Sequence, residues 1–260
     1  LRRRGYTPES LRQFVEKAGI GKRENLIGAS LLEFCIRDHL NKIAPRVNAV
    51  MDPIKLTIIN YKNNEEYLEG EINPEQLSMG SRRIPFSKNL YIEREDFKEE
   101  ANRKFFRLTI GKEVRLKNAY IIKGESVIKD KNNNIVEVLC TYDKDTRSGS
   151  GSEASKRKVK GTLHWVSQKH AIKTKVKIYD RLFLDPSPDQ HKDKSFLDFV
   201  NPKSLQIQNA YIEPSILNAK PGESYQFQRV GYFNVDKNSS SLNLIFNKTV
   251  DLRDNWARKE

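Results

Sequence analysis

The residue types that most often carry out catalysis are present in this sequence, but they are not spaced for it. Four histidines occur, at His39, His164, His170 and His191. None is paired with a cysteine or another histidine at the spacing of metal ligands. Gly149 and Gly151 lack the Lys-Ser/Thr that follows in a phosphate-binding loop, and acidic pairs such as Glu99-Glu100 read as solvated charge. The sequence therefore predicts no catalytic residue and no metal site.

Positive charge is the first feature that points to a partner. Lys and Arg number 47 against 34 for Asp and Glu, and the formal net charge is +13. Such a surplus favours a polyanion, because each neutralised phosphate releases condensed counterions. Nucleic acid fits better than membrane, since apolar runs such as Leu56–Ile59 fall far short of the ~20 residues of a spanning helix. With no apolar leader at Leu1, and with Cys35 and Cys140 expected as free thiols, we expect a cytoplasmic protein.

Cations alternate with apolar residues in several predicted strands. Examples are Arg107-Leu108, Arg115-Leu116-Lys117 and Gln226-Phe227-Gln228-Arg229. Such alternation puts the cations on one face of a strand, where they could bond phosphates and bases; ordinary solvated strand faces would give the same pattern. The aromatic residues Phe106, Tyr120 and Tyr232 are of a kind that more often packs in a core than stacks on bases.

The elements that must position these residues change from helices to strands along the chain. Thr7-Pro8 opens a predicted helix that ends at Gly19 or Gly21, and a second helix covers about 28–40. From Ala44 the apolar period becomes two. The main predicted strands are 54–58, 91–93, 114–117, 118–123, 135–142, 161–166 and 174–179, with more between 205 and 252. We expect a hairpin turn at 132–134, a short charged helix over 96–106, and barrels or sandwiches overall.

Eight segments resemble the glutaminyl-tRNA synthetase family, and together they run almost from end to end. They are Leu1–Pro8, Asn41–Arg46, Met51–Leu56, Met79–Arg82, Gly111–Tyr120, Lys158–Ser167, Tyr179–Phe183 and Leu252–Trp256. The resemblance implies a mainly β protein with two antiparallel β-barrels, one inserted in the other, behind a small helical connector. It places the connector at 1–43, a proximal barrel at 44–101 and 184–260, and a distal barrel at 102–183. The Pro-, Asp- and Lys-rich stretch 184–194 independently reads as a linker.

The resemblance also implies which residues contact an anticodon. Arg46, Gln226 and Arg229 match the pocket for the middle base, and Arg107 matches an arginine at the third base. Arg115 and Lys117 match positions at the first base. Asn41 matches an asparagine near the anticodon stem. Two departures are Gln228, where glutamate is common, and Phe106, where lysine is frequent.

The same resemblance implies what the chain lacks. The family's two ATP-binding signatures, HIGH and KMSKS, are absent, and Ser155–Lys158 lies in a predicted barrel instead. We therefore expect a fragment that is inactive alone and has no cofactor of its own, from a parent glutamine–tRNA ligase that uses ATP and Mg²⁺. The expected partner is glutamine tRNA, bound by a monomer. The alternatives are a glutamyl-tRNA synthetase barrel region or a structural ribosomal-RNA-binding barrel.

Overall fold

The computed structural model describes residues 1–22 and 27–253, and two α helices come first. Helix α1 is Pro8–Ala18, and the side chain of Thr7 caps it by accepting a hydrogen bond from the Ser10 backbone N–H at 3.3 Å. It ends at Gly19, whose φ of 76° suits a residue without a Cβ. Helix α2 is Ala29–Ile43. The helix start and stop predicted from the turn residues are confirmed.

Short strands follow the helices. In chain order they are β1 Arg46–Val47, β2 Ala49–Val50, β3 Pro53–Ile58, β4 Glu65–Glu71, β5 Ser81–Ser87, β6 Asn89–Glu93, β7 Glu113–Leu116, β8 Ile121–Lys129, β9 Ile135–Asp143, β10 Thr162–Leu163, β11 Val166–Ser167, β12 Ile172–Tyr179, β13 Leu205–Ile212, β14 Ser224–Phe227, β15 Gly231–Val235 and β16 Ile245–Asp251. Apolar residues at every second position favour strands, because they put one face of each strand in the core. Strand β3, for example, buries Ile54, Leu56 and Ile58.

The strands form two seven-stranded sheets and a hairpin of β4 and β5. The order in the first sheet is β1-β14-β15-β16-β12-β13-β2, and in the second it is β10-β7-β8-β9-β3-β6-β11. Most neighbours are antiparallel, while β1/β14, β12/β16, β3/β9 and β10/β7 are parallel. One sheet is a nearly closed barrel and the other a half-barrel, which confirms the predicted fold class.

The second sheet is inserted in the first. The chain leaves the first sheet after β2, builds the whole second sheet, and returns with β12. Several strand pairings cross the segment limits that the resemblance implied, and the pairing of β6 with β11 is one of them. Strand β3, in segment 44–101, pairs with β9, and β12, in segment 102–183, pairs with β13 and β16. The domain limits themselves stay a prediction.

Each sheet has its own apolar core, and the helices add a third cluster. In the core that the second sheet shares with the β4–β5 hairpin, the rings of Trp165 and Phe86 meet edge-on at 5.1 Å. The first sheet stacks Phe227 on Phe233 at 4.0 Å. Helix α2 buries its apolar face against the first sheet through the residues Ile36, Leu40, Tyr232 and Val250. This packing fixes the end of α2, where the candidate site residue Asn41 lies.

The predicted helix over 96–106 is wrong. A 3₁₀ turn covers Arg94–Asp96, and the chain then runs out to a bridge between Phe97 and Leu108. Asp96, Phe97 and Leu108 are all buried, so their burial decides the local path. The charged residues of this segment predict a solvated helix, but tertiary packing overrides that local preference.

The predicted turn between β8 and β9 is confirmed. Asn133 has a φ of 65°, a conformation that asparagine tolerates better than most residues. The Asp130 carboxylate accepts hydrogen bonds from the backbone N–H groups of Asn132 and Asn134, both at 2.8 Å. The run of asparagines therefore closes the hairpin by local side-chain bonding.

A buried carboxylate ties the first residues of the chain to the first sheet. Asp236 is fully buried and accepts two hydrogen bonds from Arg3, both at 3.0 Å. The amide of Asn247 and the ammonium of Lys177 also donate to it, at 2.6 and 3.3 Å. Burial alone would raise the pKa of Asp236, but these donors and the Asn238 backbone N–H outweigh it and hold the pKa well below its usual value.

This pKa predicts a loss of stability in acid. Because the folded-state pKa of Asp236 is depressed, its contribution is complete above about pH 4, the unfolded-state pKa, and is lost as the pH falls further. We expect the melting temperature of the wild-type chain to fall more between pH 6 and pH 3 than that of Asp236→Asn, which has no such charge to lose. Equal decreases in the two proteins would contradict this role.

Candidate nucleic-acid interface

Three of the predicted residues meet where α2 ends against the first sheet. Arg46 and Gln226 are register partners in the parallel pair β1/β14. The Nη2 of Arg46 donates to Oδ1 of Asn41 at 3.0 Å. The hydroxyl of Tyr232 accepts from Gln226 Nε2 at 2.7 Å and donates to the same Asn41 oxygen at 3.2 Å. One hydrogen-bonded cluster therefore joins residues from both ends of the chain.

Arg46 has hydrogen-bonding capacity left over in this cluster. Its side chain is 16% exposed, and the nearest carboxylate oxygen, on Glu75, lies 3.8 Å from Nη2. Its Nε is buried and has no hydrogen-bond partner within the described residues. An unmet buried donor costs about 1–3 kcal/mol. The guanidinium is thus held in place while part of it stays available.

A buried carboxylate brings together two further predicted residues. Asp96 is fully buried, and both of its oxygens accept hydrogen bonds from Arg229, at 2.6 and 2.8 Å. The Nε of Arg107 lies 3.3 Å from Asp96 Oδ1, and its Nη1 lies 2.9 Å from the exposed carboxylate of Glu95. Arg229 adopts a φ of 66°, unusual for a residue with a side chain. Asp96 therefore positions two arginines from different sheets.

A cavity of about 710 Å³ opens beside these two arginines. Its wall includes Arg107, Arg229 and the buried His164, whose Nδ1 lies 3.2 Å from Arg229 Nη1. The other ring nitrogen of His164 lies 3.4 Å from Glu93, which accepts hydrogen bonds from the backbone N–H groups where the chain crosses from the first sheet to the second. The cavity is large enough for a nucleobase and has hydrogen-bonding side chains in its wall.

Lys117 lies near cations of the first sheet and of the β4–β5 hairpin. It directly follows β7, and its neighbours include Arg46, Arg82 and Arg229. Burial is the main cause that lowers the pKa of Lys117, and the charges of these three arginines lower it further, against the opposing effect of Glu71. A phosphate near Lys117 would supply the missing counter-charge.

The guanidinium of Arg115, unlike those of the other predicted arginines, bonds the loop that follows β9. Its guanidinium makes four hydrogen bonds, to Thr146 O, Ser148 Oγ, Ser155 O and Arg157 O. Burial, and then the charge of Arg157, lower its pKa. Arg115 therefore holds the loop that follows β9, and a base would have to compete with those partners.

The structure groups most of the predicted residues and adds others that the sequence did not indicate. Asn41, Arg46 and Gln226 form one cluster, and Arg107 and Arg229 form another. Lys117 is within electrostatic range of Arg46 and Arg229, while Arg115 bonds to a separate loop. The additions are Asp96 and Tyr232. Asp96 stands in an acidic run that reads as solvated charge, so no sequence signal marks it. Tyr232 was predicted as core, which is confirmed, but its hydroxyl also bridges Gln226 and Asn41.

The described residues contain neither a set of metal ligands nor a helix that could span a membrane. Over 1–22 and 27–253, no set of three or more His, Cys, Asp and Glu side chains is arranged to hold a metal ion. No helix in those ranges has both the length and the apolar character needed to cross a bilayer.

The sequence matches two family profiles and many curated relatives. Both profiles describe the anti-codon binding domain of class I tRNA synthetases (E and Q), and they cover residues 44–143 and 162–236. The chain is 52% identical to a glutamine–tRNA ligase of Rhodopirellula baltica, over 100% of this chain and 43% of that protein. It is 49% identical to one of Proteus mirabilis and 48% identical to one of Vibrio vulnificus, in both cases over 46% of the relative.

The extent of these matches limits what they establish. The chain spans less than half the length of the curated relatives. Two profiles of one description nevertheless match both halves of the barrel region, and the relatives align with at least 99% of the chain. The chain belongs to the class I tRNA synthetases of the E and Q type, as their anticodon-binding region.

Proposed function

We propose that this chain reads the anticodon of glutamine tRNA as part of a glutamine–tRNA ligase. The observation that carries the proposal is the cluster of Asn41, Arg46 and Gln226, three residues assigned separately to anticodon contacts. Arg46 bonds Asn41 directly, and the Tyr232 hydroxyl links Gln226 to the same Asn41 oxygen. The net charge of +13 supports a nucleic-acid partner. The relatives that support glutamine as the amino acid are named glutamine–tRNA ligase.

In this proposal each base of the anticodon enters a separate pocket, which is how proteins commonly read unpaired RNA bases. The middle base lies against Arg46, Gln226 and Arg229. The third base contacts Arg107 beside the 710 Å³ cavity. Lys117 contacts the first base or its phosphate, and the assignment of Arg115 to the same base stays a prediction. Because fixed donors discriminate bases better than mobile ones, the Asn41 and Asp96 contacts matter for specificity.

The proposal extends to the whole enzyme. The ligase would attach glutamine to the tRNA with ATP and Mg²⁺, bound by residues other than those of this chain. The chain itself would contribute tRNA recognition, and the protein would act as a monomer in the cytoplasm. Asn41, near the end of α2, would contact the anticodon stem as well as supporting Arg46.

Arg46→Ala tests the proposal through specificity. We expect the variant to bind glutamine tRNA about 1–3 kcal/mol more weakly, and to bind a tRNA with a changed middle anticodon base almost as well as the wild type does. The reason is that the contact is made only with the correct base. The measurement is the dissociation constant of each protein for each tRNA at one salt concentration.

Arg94→Ala is the matched control for this experiment. The side chain of Arg94 is 48% exposed. It lies 3.6 Å from Asp52 and donates to the backbone oxygens of Ile135 and Pro53, and none of these partners belongs to the cluster. Both substitutions remove one positive charge, so any general electrostatic loss is shared. If Arg46→Ala weakens binding to both tRNAs equally, Arg46 contacts phosphate rather than a base, and the assignment is wrong.

A further inference from the structure

Phe106 is an aromatic side chain that the fold leaves in solvent. Its side chain is 52% exposed, whereas Tyr120 and Tyr232, which the sequence grouped with it as core aromatics, are 5% and 2% exposed. The prediction that Phe106 packs in the core is therefore wrong. An isolated exposed apolar side chain is ordinary on a protein surface, so the surroundings of the ring decide its meaning.

The backbone at Phe106 is held in place although the ring is not buried. Its carbonyl oxygen packs so closely on Gly161 that a Cβ at that glycine would lie 2.2 Å away. Two residues further on, Leu108 is fully buried and forms a β-bridge with Phe97. The ring therefore projects from a fixed point of the second sheet.

One cation contacts the ring, and others lie on the same two segments of the chain. The ammonium of Lys160 lies over the ring of Phe106, 5.5 Å from its centroid. Arg107, which follows it directly, is one of the two arginines held by Asp96. Arg103, Lys104 and Lys158 are exposed nearby in sequence on the same two segments. Aromatic rings set among cations are the arrangement with which proteins bind single-stranded nucleic acid, since the cations follow the backbone and the ring stacks on a base.

We propose that Phe106 stacks on an unpaired base of the anticodon loop, with Lys160 beside it neutralising the RNA backbone. The inference rests on the proposed function and adds to it a contact that does not depend on hydrogen bonding. Arg107 would supply the donors for the base edge, and Phe106 the flat surface.

The test is binding of an anticodon stem-loop RNA of glutamine tRNA to the wild-type chain and to three variants. Phe106→Leu keeps an apolar side chain but removes the ring, and we expect it to bind about 5-fold to 100-fold more weakly. Phe106→Trp keeps a stacking surface and should bind at least as tightly as the wild type. Phe196→Leu is the matched control, because Phe196 is also 52% exposed but lies on Phe196–Phe199, in another segment.

A second measurement reports stacking directly. With 2-aminopurine in place of the base on the 3′ side of the anticodon, the wild-type chain and Phe106→Trp should quench its fluorescence more than Phe106→Leu does. Binding of Phe106→Leu within twofold of the wild type, or unchanged quenching, would overturn the inference while leaving the proposed function intact. Failure of the wild-type chain to prefer the glutamine anticodon would instead refute the proposed function.

Discussion

Replacing Asp96 with alanine is expected to lower the free energy of unfolding by about 3–5 kcal/mol and to weaken tRNA binding at the same time. Asp96 is fully buried and receives two hydrogen bonds from Arg229 and an ion pair from Arg107. Without the carboxylate, the partly buried Arg229 keeps its charge but loses the group that compensates for it. Both arginines also lose the contact that fixes them beside the 710 Å³ cavity. Denaturant unfolding and tRNA binding measure the two effects.

Glu95→Ala is the control for this prediction. Glu95 directly precedes Asp96 and also pairs with Arg107, at 2.9 Å, but its side chain is 73% exposed. A surface ion pair contributes about 0–1 kcal/mol, so this variant should unfold almost like the wild type. If Asp96→Ala costs no more stability than Glu95→Ala, the buried carboxylate does not hold the two arginines as described.

A comparable loss of stability, about 3–5 kcal/mol, is expected for Glu213→Ala, at the contact between the β4–β5 hairpin and the first sheet. Glu213 accepts a hydrogen bond from the Nε of Arg82 at 2.5 Å, and their side chains are 2% and 7% exposed. It also accepts from the backbone N–H of Asn48 at 2.9 Å and from Ser215 Oγ at 2.7 Å. The variant leaves Arg82 buried without its carboxylate partner. Denaturant unfolding at pH 7 measures the change.

The double variant Arg82→Met, Glu213→Leu tests whether the stability lost in Glu213→Ala comes from the unpaired charge of Arg82 or from loss of the ion pair itself. Replacing both partners with apolar side chains leaves no buried charge, so much of the lost stability should return. The pair of Glu113 and Arg157, whose side chains are 38% and 41% exposed, is the surface ion pair with which the buried pair is compared. A double variant as unstable as Glu213→Ala would show that packing, and not the unpaired arginine, determines the loss.

The parts of the fold that local chemistry determines could be predicted from the sequence. Thr7 and Gly19 mark the ends of α1 by capping, and the asparagines at 132–134 mark a turn because they tolerate positive φ. Strand β3 follows from alternation along 54–58. In each case the deciding interaction lies within a few residues, so a single sequence carries it.

The parts that depend on distant contacts could not be predicted in the same way. Asp96 is buried because Arg229, far along the chain, meets it from the other sheet. That contact also removes the helix expected over 96–106. Pairings of β3 with β9 and of β12 with β13 depend on where the chain crosses between the sheets, which alternation does not specify.

The candidate site was predictable only in part for the same reason. Resemblance pointed to Arg46 and Gln226 separately, but their meeting with Asn41 depends on how α2 packs on the first sheet. Phe106 has the residue type of a core position, but its ring is exposed although its backbone packs closely against Gly161. Arg115 matches a base-contacting position, yet its hydrogen bonds go to a loop that the sequence does not connect with it.

The central claim is that this chain distinguishes one anticodon from another. The most direct measurement is the dissociation constant of the wild-type chain for glutamine tRNA and for the same tRNA with its middle anticodon base changed, both at one salt concentration. We expect the changed tRNA to bind about 1–3 kcal/mol more weakly, which corresponds to roughly 5-fold to 150-fold. Equal dissociation constants for the two tRNAs would contradict the claim.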